Sequence, residues 1–359
     1  MRRGRPGRSR LGHPVRRSAD RAYTAQILQS RLGTNSRLTT RLGCVLDGAP
    51  QALPPSLAWS STFNICHLGV SWKHVAPSEG LYRWDQFDAQ LGWCARTGLP
   101  FEVGPLVEFR RGALPDWVWL WEGDCETLGG LVADFVQQTV QRYRGRVPLW
   151  HVVHRPAGGE ILGLTEEEQI RITARAVQVA HQTDPSAQLT IGVDRPWAEW
   201  MGSSHFQLGP LHLCDYLVRA DVGLSGVALE IALGYSSPGS YMRDLFEFSK
   251  LLDLYSLLNV PLYIWMAIPS SGAPDPKADP DVVVDSSQWP APLDEALQAL
   301  WGAKWLALAV AKPFVRTLSW LQASDANPHL YPHAGLFRPD QTPKPLLSWI
   351  QMLRNETLV

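Results

Sequence analysis

Eight short apolar runs punctuate the chain: RLGCVLDG (41–48), NICHLGVSW (64–72), PFEVGPLVEF (100–109), VPLWHVVHR (147–155), AQLTIGVD (187–194), GVALEIALG (226–234), PLYIWMAI (261–268) and RTLSWLQA (316–323). Each is nearly continuous rather than alternating. That is the pattern of a strand covered on both faces, which belongs to parallel sheets. Helical patterns lie between most of them. Residues 85–97 carry Asp85 at the start and Gly98 at the end. In 127–143, Leu128, Leu131, Val132, Phe135, Val136 and Val140 form one stripe. Thr165 and Glu168 have the spacing of a capping box ahead of the next helix. The segments SYMRDLFEFSKLLDLYSLLN and LDEALQALWGAKWLALAVAK supply two more.

Strands alternating with helices predict an α/β protein, a closed (β/α)8 TIM barrel. The rival, an open doubly wound sheet, usually has a Gly-rich phosphate turn after its first strand, and GCVLDGAPQALPP is not one. The weakest expected element is the first helix, because 49–60 is short and Pro-rich. The long connection 269–292, rich in Pro, Asp and Ser, falls on the C-terminal face of such a barrel, where sites are built.

Composition narrows the function. Apolar residues make up 45% of 359, enough for one large core. A net charge of −1 argues against nucleic acid as the main partner. The exception is the start of the chain, where eight Arg and one acid fall within 21 residues among Gly, Pro and Ser; residues 1–22 are read as a disordered tail and 23–355 as a single barrel domain. No apolar run approaches the roughly 20 residues that span a bilayer, so no membrane partner is expected. The five Cys are scattered without C-x-x-C spacing and are read as buried free thiols, which weakly favours the cytoplasm. Sixteen Trp are in excess: core filling accounts for most, and stacking on sugar faces is the sharper reading.

Several segments carry a resemblance. FN (63–64) with APSEGLYRW (76–84), LPDWV (114–118), RYRGRVPLWHVVHR (142–155), TDPSAQL (183–189), GVALE (226–230), VPLYI (260–264), LSWLQASD (318–325) and TPKP (342–345) stand in the order and spacing of glycoside hydrolase family 10, which the chain resembles over about residues 41 to 350. The resemblance implies a xylanase-type barrel that cleaves β-1,4 bonds with retention, using two carboxyl groups at the ends of strands four and seven. Here the acid of the family's WDVVNE segment aligns with Arg155, its preceding Asn with His154, and the strand-seven nucleophile with Met266. Arginine cannot donate a proton at a useful pH and methionine cannot form the glycosyl ester. The sugar-binding His and Trp of strand three become Pro105 and Glu108, and the Gln and His near strand six become Glu230 and Ala232. Lys73, Trp320 and Asp325 persist.

The expected substrate-binding residues are therefore Lys73, His154, Arg155, Trp320 and Asp325, with His154 and Arg155 forming an electropositive floor for an anionic sugar. The carboxylates Glu108, Glu230 and Asp194 close strands three, six and five. They either pair with Arg155, Arg110 or Arg195, or serve as a relocated acid and nucleophile. His151 and His154 lie three apart on a strand and are expected on opposite sides, so no shared metal follows. Neither a metal nor a cofactor is expected, and His329 and His333 are read as loop hydrogen-bonders beside Asp325. Three functions stay open. The first is a barrel that has lost hydrolysis and binds carbohydrate, perhaps with a protein partner in a larger assembly; the second is an active glycosidase on a charged or modified β-glycan; the third is a structural interaction module.

Overall fold

A computed structural model describes residues 37–46, 56–156, 161–199, 207–236 and 239–359, with Gln29, Gly33 and Met201. The Arg-rich start and Trp200 lie outside the described residues. The strands are β1 (Arg41–Leu46), β2 (Ile65–Leu68), β3 (Phe101–Val103), β4 (Val107–Glu108), β5 (Leu149–His154), β6 (Gln188–Val193), β7 (Gly226–Ala232), β8 (Tyr235–Ser236), β9 (Leu262–Ala267), β10 (Val283–Val284) and β11 (Val315–Trp320). β3 and β4 are two parts of one barrel strand, both paired with β5. The sheet runs β3-β2-β1-β11-β9-β7-β6-β5, and the pairing of Val103 with Trp150 closes it. All barrel pairings are parallel, so the fold is an eight-stranded (β/α)8 barrel.

All eight apolar runs become barrel strands, and their burial on both faces explains the missing alternation. The helices follow their end signals. Asp124, Asp244 and Asp294 each accept a backbone N–H in the first turn of Cys125–Arg142, Leu245–Ser256 and Glu295–Ala311. Thr165 and Glu168 form the capping box. Gly98 ends Asp85–Thr97 in the left-handed region; Asp85 is the first helical residue there, and the N-cap position falls on Trp84, which makes no side-chain cap. The helix that follows β1 is seven residues, Ser56–Thr62. All five Cys are free thiols, four of them buried. Among the described residues no helix is long and apolar enough to cross a membrane.

The break between β3 and β4 requires a glycine. A Cβ on Gly104 would lie 2.3 Å from the His151 carbonyl oxygen, and its φ is 137°. Gly104→Ala is expected to cost about 2 kcal/mol through strain and displaced backbone, read as a lower urea midpoint at unchanged slope.

Eight of the sixteen Trp are buried in the core, namely Trp59, Trp72, Trp93, Trp150, Trp265, Trp289, Trp305 and Trp320. Trp84, Trp117, Trp119, Trp197 and Trp301 are partly buried against the same core, so core filling accounts for most of the excess. Trp121 and Trp349 are exposed.

The connection 269–292 is laced to its neighbours rather than loose. Val283 and Val284 pair antiparallel with Ser236 and Tyr235. Asp275 accepts from His329 Nε2 at 3.0 Å and from the His333 backbone N–H at 3.0 Å. Asp279 accepts from Arg110 Nη1 at 2.7 Å. Both loop histidines thus bond to Asp275 from the neighbouring loop, His329 through its ring and His333 through its backbone N–H.

Candidate functional site

The C-terminal end of the barrel gathers Glu108 from the end of β4, His154 and Arg155 from the end of β5, Asp194 after β6, and Glu230 from β7. Arg155 is the centre. Its φ of 59° places it in the left-handed region, and its N–H is bonded to the Gly192 carbonyl at 2.9 Å. The guanidinium is buried, at 4% exposure. Nη2 donates to Glu230 Oε1 at 2.8 Å and to the Tyr331 hydroxyl at 3.0 Å. Nε stands 3.2 Å from Glu108 Oε1, and Nη1 stands 3.8 Å from Asp194 Oδ2.

A second ring of pairs surrounds these. His154 Nε2 bonds to Glu230 Oε2 at 2.6 Å. Arg110 Nε donates to Glu108 Oε1 at 2.9 Å, and Arg195 Nε donates to Asp194 Oδ2 at 2.8 Å. Tyr331 donates a very short hydrogen bond to Glu230 Oε1. Gly192 makes room for the ensemble, since a Cβ there would meet His154 Nδ1 at 2.4 Å.

Electrostatics follow from this packing. Burial alone would push the Glu230 carboxyl up, but Arg155 and then His154 outweigh it and hold the group well below the usual carboxylate range. Glu108 behaves likewise: burial opposes ionisation, while Arg110 and Arg155 hold it below the ordinary value. Both acids are thus kept as anions. A carboxyl whose pKa is depressed by folding contributes stability in full above its unfolded value of about 4.3 and loses it as the pH falls. The denaturation midpoint is accordingly expected to fall steeply between roughly pH 5 and pH 2, and Glu230→Gln flattens that slope.

These contacts change three sequence-based expectations. First, the electropositive floor is neutralised, because the positive charge of Arg155 is shared among Glu230, Glu108 and Asp194. Second, His151 and His154 lie on the same side: both rings pack edge-on against Trp265, at 4.8 and 5.0 Å between centroids. The register of β5 against β6 shifts between His151 and Val153, and that irregularity cancels the alternation. Third, Met266 does not face the mouth. Trp265 fills the barrel interior against His67, His151 and His154, so alternation turns Met266, fully buried, toward the helices.

The other candidates have structural partners. Lys73 Nζ donates to Asp116 Oδ1 at 2.7 Å on the rim. Trp320 is buried and donates to the Ala334 carbonyl at 2.8 Å. Asp325 accepts from Lys344 Nζ at 2.6 Å, Gln322 Nε2 at 2.8 Å and the Gly335 N–H at 2.7 Å, which fastens the loop after β11 to the segment before the last helix. Trp197 lies under Arg243, 5.3 Å from the guanidinium carbon, and against Trp305. Sequence reasoning missed Tyr331. Its only signal was its place in DANPHLYPH, where the histidines drew attention instead.

Above the floor, a short aromatic 3-10 helix, Asp116–Trp121, follows β4. Arg111 stacks on Trp119 at 4.6 Å, Trp117 donates to the Ala76 carbonyl, and Trp121 and Leu120 are exposed.

Comparison with known proteins places this geometry. Residues 65–192 match the family model Glycosyl hydrolase family 10. Endo-1,4-beta-xylanase B from Humicola insolens is 26% identical over 118 residues, a match that covers 33% of this chain and about a third (32%) of that protein's length. The structure superposes on native xylanase 10B from Thermotoga maritima with a TM-score of 0.66 at 17% identity, covering 93% of this chain and 97% of that one. Native xylanase10C from Cellvibrio japonicus gives 0.65 at 16% identity, over 89% and 71%. At these identities the superpositions speak for the fold.

Proposed function

We propose that this chain, a member of glycosyl hydrolase family 10, keeps the xylanase-type barrel and a carbohydrate-facing rim but does not cut β-1,4-xylan. The observation that carries the reading is the occupancy of the mouth by Arg155 and its three acids. Retaining hydrolysis needs one carboxyl that attacks and another, roughly 5–5.5 Å away, that holds a proton for the leaving oxygen. The proton donor must have a raised pKa. Glu230 and Glu108 are both held in the opposite direction by the cations beside them. Glu108, Asp194 and Glu230 are each committed to an arginine or to His154, so none of these three acts as a nucleophile without breaking a buried pair.

Carbohydrate contact falls on the rim instead. The aromatic turn at Trp119 and Trp121, with Lys73 and Asp116 beside it, offers flat rings and polar groups of the kind that hold sugar faces. The second reading, turnover by relocated carboxylates, draws on one observation: Glu108, Asp194 and Glu230 converge on a single point.

A β-glycan array combined with hydrolysis assays on neutral and uronic-acid xylans separates the two. The expected result is binding that weakens about tenfold in Trp121→Ala, consistent with one stacking contact of roughly 1.4 kcal/mol, with no oligosaccharide released. Release of xylo-oligosaccharides by the unaltered protein, abolished in Glu230→Gln, would favour the second reading.

A further inference from the structure

Beneath the mouth, inside the barrel, three side chains from three strands converge away from any solvent. They are His67 on β2, Glu102 on β3 and His151 on β5, each at most 2% exposed. His67 Nδ1 lies 3.1 Å from Glu102 Oε1, and His151 Nε2 lies 3.5 Å from the same oxygen. The ligand atoms of the three residues all fall within 4.8 Å of one another. Each imidazole is tethered by its other nitrogen: His67 Nε2 to the Gly104 carbonyl at 2.9 Å, and His151 Nδ1 to the Thr190 hydroxyl by a very short contact.

The tethers matter because they bear on the tautomers. The Gly104 carbonyl can only accept, so His67 Nε2 donates to it and Nδ1 of the neutral ring is an inward lone pair; with His151 Nδ1 donating to the Thr190 hydroxyl, a group that can also donate, His151 Nε2 is the second. Two lone pairs and a carboxylate then face one another, and acceptors that meet without a hydrogen between them need a cation. His151 Nε2 and Glu102 Oε2 are buried with no hydrogen-bond partner, which leaves the cluster short of positive groups on its inner side. Ser319 Oγ, 3.1 Å from Glu102 Oε1, supplies one donor.

We propose that His67, Glu102 and His151 form a core binding site for a divalent transition metal of the zinc class. Two imidazoles and one carboxylate are a recognised donor set for such ions, and outward hydrogen bonds from both rings are what orient imidazole ligands. With bonds of about 2.0–2.1 Å, tetrahedral ligands stand roughly 3.3 Å apart, and the two separations involving the carboxylate match this. The two rings are parallel, with centroids 5.0 Å apart, so loading turns them to converge on the ion. The surroundings, Trp265 and Tyr263, exclude water. Because the site is sealed, the ion enters as the chain folds, and its affinity adds to folding.

The test is elemental analysis of the full-length protein purified from zinc-supplemented medium. About one zinc per chain is expected, falling below about one tenth in Glu102→Gln and His151→Gln and unchanged in His329→Gln, whose histidine pairs with a different carboxylate. X-ray absorption on the unaltered protein should show a nitrogen and oxygen shell at about 2.0–2.1 Å, which keeps the proposal testable if the variants do not fold. Folded protein that carries no metal overturns it, since a proton between Glu102 and the imidazoles would then fill the same role. So does zinc retained equally in the Glu102→Gln protein.

Discussion

Arg155→Met is expected to lower the unfolding free energy by about 3–5 kcal/mol, the usual cost of removing one member of a buried ion cluster. The size follows from the accounting at the barrel mouth. The guanidinium is buried, and it faces Glu230 at 2.8 Å, Glu108 at 3.2 Å and Asp194 at 3.8 Å. Methionine conserves much of the volume, so packing loss is small and the charge term dominates. Glu108 and Asp194 retain Arg110 and Arg195, whereas Glu230 keeps His154 and Tyr331 but, among the described residues, no second arginine. Glu230 should therefore carry most of the penalty. Urea denaturation at neutral pH measures it, and Arg155→Met with Glu230→Gln should recover more than half of the loss. A single variant within about 1 kcal/mol of the parent, the level of an exposed pair, would show that the cluster is solvated and would remove the main support for the functional reading.

The larger effect is expected from putting the family's acids back. Arg155→Glu with Met266→Glu restores the aligned residue types, yet the structure predicts neither activity nor a stable fold. Glu at 155 would add a fourth carboxylate to Glu108, Asp194 and Glu230 while deleting the cation they share. Glu at 266 would enter a fully buried position that faces the helices, because Trp265 already takes the barrel interior. A buried, unpaired charge costs several kcal/mol even after relaxation, and two together should exceed about 5 kcal/mol, the lower end of a typical domain's stability. Thermal melting by circular dichroism should show loss of the cooperative transition, and assays on plain xylan should show no reducing ends. A folded double variant that releases xylo-oligosaccharides would contradict both the assignment of faces on β9 and the account of the mouth.

The contrast between the two predictions shows which layer of the structure was legible in the chain. The eight strands and the capped helices could be read because parallel strands buried on both faces leave continuous apolar runs, and because Asp, Thr and Gly mark helix ends. The same burial hides which side each residue takes. An antiparallel strand with one wet face announces its inner positions by alternation, whereas YIWMAI carries no such mark, and Met266 was placed at the mouth on alignment alone. His151 and His154 failed for a related reason: a register shift inside β5 is a backbone event with no residue signature in LWHVVH. Arg155 could be placed, because it closes a strand and ends a recognisable segment. Its pairing with the carboxylates could be posed as one alternative, but not chosen, until Glu108, Asp194 and Glu230 were seen to arrive from three strand ends. Glu102 and His67 drew no attention, since isolated polar residues within apolar runs read as ordinary strand positions.

The lacing of residues 269–292 has a consequence for how the molecule comes apart. This segment is tied to β8 through Val283 and Val284, to the loop after β11 through Asp275, and to the end of β4 through Asp279. Three separate parts of the ring therefore share one strap. Local opening of any one of them must break contacts belonging to the others, so the amides that bond out of the strap, those of Ser270, Asp279 and Asp285, should exchange far more slowly than those of an ordinary surface loop.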